Sequence, residues 1–350
     1  VQGSDLINSK NVERCKKIGI KVFKTHSKSN IKDCTIIVKS SAVKKNNPEI
    51  KAAKKKKLNI LKRAEMLAHV VSLKTNIVVT GSHGKTTTTS LISKILSTAK
   101  FDFSGRLALV VGGSSGIGEG VVKSLSECGA KVLFASRGSG NLVSDATFIP
   151  CDIQKNADVS AMFKKVDSYG NLDFLVNAAA ISSNNKISEI DQSQWDKVMD
   201  TNVKGVFFLI QQLLPLLKAS GTAEDPARVI NIGSIDGIVT PTFNNISYGP
   251  SKAAVHHLTR VMAAHLVKNH ITVNAIAPGP FPTWMLSTAV GFGGATDVDW
   301  DEVAQRNPRR RVGTIEDIAG VAIFLSSRAG AYTVGETIAC DGGAVASSHH

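Results

Sequence analysis

Leu107-Ala108-Leu109-Val110-Val111-Gly112-Gly113-Ser114-Ser115-Gly116-Ile117-Gly118 runs an unbroken apolar stretch into a glycine-rich turn. The apolar part reads as a strand buried on both faces, as in a parallel sheet. Glu119 to Cys128 reads as the helix that follows. Glycines in a strand–turn–helix serve a tight turn, a close approach of backbone to a pyrophosphate, and helix–sheet packing. Downstream the alternation continues, with strands at Lys131–Ala135, Val229–Ile232 and Ile271–Ile276 separated by helical stretches. The expectation is an α/β fold of Rossmann type, a doubly wound parallel sheet with helices on both faces.

The end of the second strand decides the cofactor. An acidic residue there would take the ribose 2′-hydroxyl of NAD, but Ser136-Arg137 stands in its place. No carboxylate repels a 2′-phosphate and Arg137 can pair with one, so NADP(H) is expected. A second signal lies in Ser247-Tyr248-Gly249-Pro250-Ser251-Lys252-Ala253-Ala254, with Ser234 fourteen residues before the tyrosine. Tyr248 and Lys252 fall on one helix face, one turn apart. A phenol ordinarily titrates near ~10. A neighbouring ammonium favours the phenolate and is expected to pull Tyr248 toward working pH. A tuned tyrosine and a dinucleotide turn on one chain point to hydride chemistry.

Composition changes near residue 100. Residues 1–100 hold 22 Lys+Arg and 5 Asp+Glu, a net +17, whereas the other 250 hold 20 and 23, a net −3. The cluster Lys54-Lys55-Lys56-Lys57 has no interleaved aromatics, so it reads as a solvated basic face rather than a nucleic-acid site. Five scattered cysteines have neither metal-ligand spacing nor a disulfide framework, so no metal site is expected and a reducing cytoplasmic setting is. No apolar run long enough to span a bilayer is read from the sequence. Two domains are expected, residues 1–100 and 101–350. The first is an incomplete α/β segment with strands at Ile18–Phe23, Thr35–Val38, Asn59–Leu61 and Asn76–Thr80. The last of these precedes Gly81-Ser82-His83-Gly84-Lys85-Thr86-Thr87, a short P-loop-like turn in which Lys85 would meet phosphate oxygens.

The first hundred residues resemble one family. Gly3-Ser4-Asp5, His26, Asn30, Ser40-Ser41-Ala42, Asn47-Pro48-Glu49, Arg63-Ala64-Glu65 and Gly81 to Ser90 are similar to UDP-N-acetylmuramate–L-alanine ligase. The resemblance ends near residue 99. It lacks the family's first strand with its UDP turn, the metal-binding carboxylates and the C-terminal domain. A P-loop works only when metal ligands and a nucleophile site face it, so a truncated, inactive segment is expected.

The remainder, about residues 104–345, resembles the classical short-chain dehydrogenase/reductase family. The resemblance is carried by the glycine turn, Cys151-Asp152-Ile153, Leu175 to Ala180, Asp200 to Gly205, Gly233-Ser234, the Tyr248 helix, Ala277-Pro278-Gly279-Pro280 and Cys340-Asp341-Gly342-Gly343. It implies a tetrad. Tyr248 is the general acid, Lys252 lowers its pKa and grips the nicotinamide ribose, Ser234 bonds the carbonyl oxygen, and Asn202 anchors a relay water. The resemblance further implies cofactor contacts at Gly112, Ser114, Ser115, Gly116, Ile117, Gly118, Ser136, Arg137, Asp152, Ile153, Asn177, Pro278, Gly279 and Thr283. Three departures stand out: Val111 replaces a threonine, Ala178 and Ala180 replace an asparagine and a glycine, and the Ser-to-Tyr gap is one residue longer than usual. Ile232 to Ile238, Ser251 to Arg260 and Ala275 to Pro282 look like a narrower branch that includes 3-oxoacyl reductases of the rhamnolipid-pathway type. That branch implies a small-molecule ketone or alcohol substrate, with Ile235, Ile238, Phe281, Trp284, Met285 and Phe292 lining an apolar pocket under a lid at 284–305. In this family the helices near 193–218 and 247–268 pair across subunits, which implies a homodimer or homotetramer. Two other readings remain at this level: a peptidoglycan-precursor ligase, and a non-catalytic protein docking through its basic segment.

Overall fold

Apolar runs in the first hundred residues are short, and the sheets they build are correspondingly small. The computed structural model describes residues 2–6, 10–17, 19–40, 42–62, 65–66, 101–140, 145–183, 185–240, 244–290 and 298–348. The chain divides into two units, Val1–Ser90 and Leu91–His350. In the first, β1 (Gln2–Ser4) pairs in parallel with β2 (Lys21–Phe23), and β3 (Ile36–Lys39) with β4 (Asn59–Lys62), as two separate two-stranded sheets. β1 reads Gln-Gly-Ser, without an apolar pattern, which is why it escapes a reading by periodicity. The helix Pro48–Lys55 opens on Asn47, whose side chain accepts the Glu49 N–H at 2.8 Å, with proline in the first helical position. The Glu49 carboxylate then gathers Ser4 Oγ at 2.7 Å, His26 Nδ1 at 3.1 Å and Asn30 Nδ2 at 2.8 Å. The residues that carry the ligase resemblance thus tie this unit together. Arg63, Ala64, the strand read at Asn76–Thr80 and the loop with Lys85 lie outside the described residues.

The second unit is a seven-stranded parallel sheet. Its strands are β5 (Leu107–Val111), β6 (Lys131–Ser136), β7 (Thr147–Pro150), β8 (Phe174–Asn177), β9 (Ala227–Ile232), β10 (Ile271–Pro278) and β11 (Thr337–Cys340). Their spatial order is β7-β6-β5-β8-β9-β10-β11. The order reverses between β5 and β8, which opens a crevice at the carboxyl ends of the strands, the place where ligands bind in such sheets. Period-two alternation sets the layers. Leu107, Leu109 and Val111 face one side with Leu133, Leu175, Val229 and Val273, and there they meet the helices Asn156–Asp167, Gly205–Ser220 and Tyr248–Leu266. Ala108 and Val110 face the other with Val132, Phe134, Val176 and Ile230, under the helices Gly116–Glu127 and Ile315–Ser326.

One composition-based expectation needs correction. The continuous helical run Gln192–Ser220 is long and apolar enough, by length and composition, to cross a membrane, with mean hydropathy 1.2. Its buried stripe, Leu209, Ile210, Leu213, Leu216 and Leu217, packs in the core of the sheet, which accounts for the apolarity on that side. The opposite side exposes Phe207 and Phe208.

Candidate active site

Four strand ends deliver the site. Gly112 follows β5, Asn177 ends β8, Ser234 lies two residues beyond β9, and Pro278-Gly279 ends β10, all at the same edge of a parallel sheet. The glycine turn is as tight as its composition requires. Gly112 has φ +87°, and a Cβ there would lie 2.4 Å from the Ala179 nitrogen. A Cβ at Gly118 would lie 2.1 Å from the Gly112 carbonyl oxygen. Gly118→Ala is therefore expected to lower stability by about 1–3 kcal/mol through overpacking. Thermal unfolding and a dinucleotide titration check this together; an unchanged Tm with full binding would contradict it.

The helix Gly116–Glu127 starts earlier than its apolar residues indicate, because two glycines occupy its first turn. Ser115 caps it in extended backbone but makes no side-chain cap bond, so its hydroxyl is available at the turn. Thr283 approaches from the loop after β10: its Cγ2 lies 3.2 Å from where a Gly116 Cβ would stand. At the end of β6, Ser136 Oγ donates to the Gly138 carbonyl at 2.6 Å, and Arg137 is exposed. The same loop folds back on the glycine turn, since a Cβ at Gly140 would lie 2.1 Å from the Ser114 carbonyl oxygen. Asp152 is half-buried in a turn, its carboxylate accepting the Gln154 N–H at 3.1 Å, with Ile153 packed beside it. Asn177 Nδ2 donates to Asn231 Oδ1 at 2.8 Å, and Asn231 Nδ2 to Thr259 Oγ1 at 2.9 Å, which ties β8, β9 and the Tyr248 helix together behind the crevice. The glycine turn and the loop after β6 thus form a cradle with no room for side chains at its floor, and exposed Arg137 lies in that loop. That arrangement fits a nicotinamide dinucleotide.

The residues expected to react, Ser234, Tyr248 and Lys252, group at the carboxyl end of β9, in the same sheet as the glycine turn. Tyr248 opens the helix Tyr248–Leu266, and Lys252 follows one turn later on the same face, its Nζ 5.4 Å from the tyrosine ring centroid. Lys252 is 3 % exposed, and its ammonium donates to the Ile232 carbonyl at 2.7 Å. Burial pushes Lys252 down to about 8, with the Asp236 carboxylate pulling it back up. Ser234 stands close enough to the Tyr248 phenol to favour its ionised form, and its Oγ accepts the Asp236 N–H at 3.2 Å. Asn202 sits in a single π-helical stretch, Asp200–Lys204, an irregularity frequent at functional sites. Its side chain spans Ile181, accepting the N–H and donating to the carbonyl at 2.9 Å each, and donates to Ser251 Oγ at 3.0 Å. Both its amide protons are thus spent on protein, so this side chain acts as a clamp between the loop after β8 and the catalytic helix.

The phenol itself differs from the expectation. Burial raises the Tyr248 pKa above its ordinary value, the Asp236 carboxylate raises it further, and the Ser234 side chain lowers it. Desolvation of a phenolate outweighs the charge one turn away. The phenol is accordingly held in its proton-carrying form at neutral pH.

Sequence reading missed three neighbours. Asp236 and Asn245 lie across a loop, Asn245 Nδ2 donating to Asp236 Oδ2 at 2.9 Å. His256, pushed down to about 4 mainly by burial and next by Lys252, accepts the Ser234 N–H at Nε2 over 3.4 Å. The helical spacing of Tyr248, Lys252 and His256 was available to find the last. Of the apolar pocket residues, Ile238 lines a cavity of about 430 Å³ with Asp236, Asn245, Ile246 and Ala253. Phe281 is 3 % exposed and belongs to the core, where it also borders a separate cavity of about 400 Å³ with Arg309, Arg311 and Asp317. Trp284 is exposed and Phe292 lies outside the described residues.

A sequence profile described as enoyl-(acyl carrier protein) reductase matches residues 111–345, and one described as the Mur ligase family catalytic domain matches residues 1–75. The rhamnolipids biosynthesis 3-oxoacyl-[acyl-carrier-protein] reductase of Pseudomonas aeruginosa is 42 % identical over 253 residues, covering 69 % of this chain and 97 % of that protein. The solved active-site complex of Pseudomonas aeruginosa RhlG with NADP superposes with a TM-score of 0.65 at 40 % identity, over 70 % of this chain and 98 % of that one. The UDP-N-acetylmuramate–L-alanine ligase of Pelagibacter ubique is 61 % identical over 102 residues, which is 29 % of this chain and 22 % of the ligase. A seven-stranded parallel sheet, a glycine cradle at its switch point and a tyrosine–lysine pair beside it thus meet a profile match across most of the chain: this protein is an oxidoreductase that belongs to the short-chain dehydrogenase/reductase family, preceded by a Mur-ligase-like segment.

Proposed function

We propose that this protein is an NADP(H)-dependent reductase that converts a ketone, of the 3-oxoacyl class, to the corresponding alcohol. The observation that carries the reading is the grouping of the Tyr248 phenol, the Ser234 hydroxyl and the Lys252 ammonium at the carboxyl end of the sheet whose first strand, β5, runs into the tight glycine turn. Bound reduced nicotinamide supplies the hydride. Ser234 and Tyr248 bond the ketone oxygen and hold it in place. As negative charge grows there, Tyr248 gives up its proton to that oxygen. Lys252 offers its cation to the phenolate left behind and to the ribose hydroxyls. Gly112, Ser114, Ser115, Gly116, Ile117 and Gly118 hold the pyrophosphate, Asp152 and Ile153 the adenine, and Pro278, Gly279 and Thr283 the nicotinamide end. Asn177 braces the sheet behind them.

Preference for NADP(H) rests on exposed Arg137 at the end of β6, with no acidic residue at that strand end. The acyl class rests on the apolar wall of Ile238, Val239 and Ile246 next to the site, and on the name of the Pseudomonas relative. We further read the exposed Phe207 and Phe208 as a subunit contact in a homodimer or homotetramer, and the five free cysteines as a sign of a cytoplasmic setting. The test is a fluorescence titration with NADPH and NADH, followed by turnover on 3-oxoacyl thioesters, simple ketones and polyols. Arg137→Glu is expected to weaken NADPH binding about tenfold or more while leaving NADH within a few-fold, since it exchanges a charge-assisted bond for repulsion. Equal loss of both coenzymes would refute the 2′-phosphate role, and turnover of polyols alone would refute the acyl class.

A further inference from the structure

The turn Ile235–Gly237 carries a carboxylate that the hydride chemistry does not use. Two hydrogen bonds hold Asp236 in place. Its N–H donates to Ser234 Oγ at 3.2 Å. Its Oδ2 accepts Asn245 Nδ2 at 2.9 Å, and Asn245 is 5 % exposed, with its own Oδ1 buried and without a partner among the described residues. Its main-chain carbonyl faces the first turn of the Tyr248 helix, 3.2 Å from where a Gly249 Cβ would stand, one residue beyond Tyr248. A carboxylate is therefore fixed next to the first turn of that helix, on the Ser234 side.

The surrounding charges give it a purpose. Lys252 is almost fully buried, and among the described residues its ammonium forms no ion pair within 4.0 Å. A lone buried cation is costly and tends to shed its proton. His256, one further turn along, is held neutral by burial, and Arg260 beyond it is a second cation, so neither compensates Lys252. Asp236 is the carboxylate, among the described residues, whose field reaches both Lys252 and Tyr248, and it strengthens the hold of each on its proton. Lys252 in turn favours the ionised form of Asp236 against its own burial.

We propose that Asp236 is a charged positioning residue of this active site, fixing the Ser234 hydroxyl through its main chain and keeping the buried Lys252 an ammonium through its Asn245-held carboxylate. The inference rests on the reductase reading for the site's purpose, but its electrostatics are measurable without turnover. The probe is acetic anhydride labelling of the full chain across pH, with the Lys252 peptide quantified by mass spectrometry. Asp236→Asn keeps the shape and the main-chain bond but removes the charge. It is expected to raise the labelling rate of Lys252 at pH 7 by about threefold or more, because more of the amine is neutral. It is also expected to lower the ratio of ketone reduction at pH 9 to that at pH 7, since Tyr248 then loses its proton more easily. Asp236→Glu should restore both toward the wild type, and Asn245→Ala, which releases the carboxylate, should move both in the Asp236→Asn direction by less. An unmoved Lys252 labelling profile in folded Asp236→Asn, or a turnover loss equal at every pH, overturns the proposal. A wild-type protein inactive on every ketone, with Lys252 labelling still sensitive to Asp236, would sink the reductase reading alone.

Discussion

Tyr248→Phe should reduce kcat for ketone reduction by about a thousandfold while leaving NADPH affinity within a few-fold. In the proposed reaction the phenol is the proton donor, and a positioned general acid contributes roughly 10²–10⁴ in rate. A thousandfold loss corresponds to about 4 kcal/mol of transition-state stabilisation. The ring stays, so the first turn of the helix and its packing are preserved, and only the oxygen that meets Ser234 is removed. The direction of the phenol's pKa makes the prediction sharper. Burial and Asp236 hold Tyr248 protonated at neutral pH. Ketone reduction, which consumes that proton, should run freely at pH 7, whereas alcohol oxidation, which needs the phenolate, should climb as pH rises. Stopped-flow turnover in both directions across pH checks this. A Phe variant with more than a tenth of wild-type kcat would remove Tyr248 from the acid's role.

What the sequence revealed, and what it concealed, divides along physical lines. β5 was legible as an unbroken apolar run, and β6, β9 and β10 because apolar residues dominate strands buried along most of their length, even though Arg228, Asn231, Thr272 and Asn274 interrupt the last two. β1 and β7 were not: Gln-Gly-Ser carries no pattern, and Thr-Phe-Ile-Pro is a short edge strand with a proline at its end. Tyr248 and Lys252 share a helix face because helical geometry fixes the spacing of residues four apart. The sign of the Tyr248 shift was misread for a related reason. Spacing reports which charge stands one turn away, but not how much water the fold removes, and here desolvation is the larger effect. Asp236, Asn245 and His256 went unnoticed because their roles arise from a loop folding across a helix, a contact between segments that local pattern does not encode. Asn202 was found by resemblance alone, and its two-sided clasp of Ile181 exists only once the chain closes.

Lys252→Met should sharply reduce turnover and remove the contribution of Lys252 to the pH dependence of stability. Lys252 is held at about 8 in the folded protein, against roughly 10.4 for a free lysine. Between those values the unfolded chain binds more protons than the folded one, so stability rises with pH. From pH 8 to 10 the gain is about 2–3 kcal/mol at roughly 1.36 kcal/mol per unit. Two groups contribute with the opposite sign: Cys151, which burial pushes up to about 11, within this window, and Tyr248 above about pH 10, where an unfolded phenol ionises and the buried one does not. Methionine fills a similar volume without a titrating group, while Cys151 is common to both proteins, so the stability of the wild type relative to the variant should rise by that amount between pH 8 and 10. The Ile232 carbonyl then loses its donor, which costs the variant about 1–3 kcal/mol at all pH values and lowers its Tm without restoring the slope. Turnover should fall by about 10²–10³, since the cation that meets the developing phenolate is gone. Urea unfolding of both proteins at half-unit steps from pH 7 to 10 separates the effects. A difference between the two curves that stays constant across this window would mean that the buried amine titrates normally. The strain that makes Lys252 useful next to Tyr248 would then be absent.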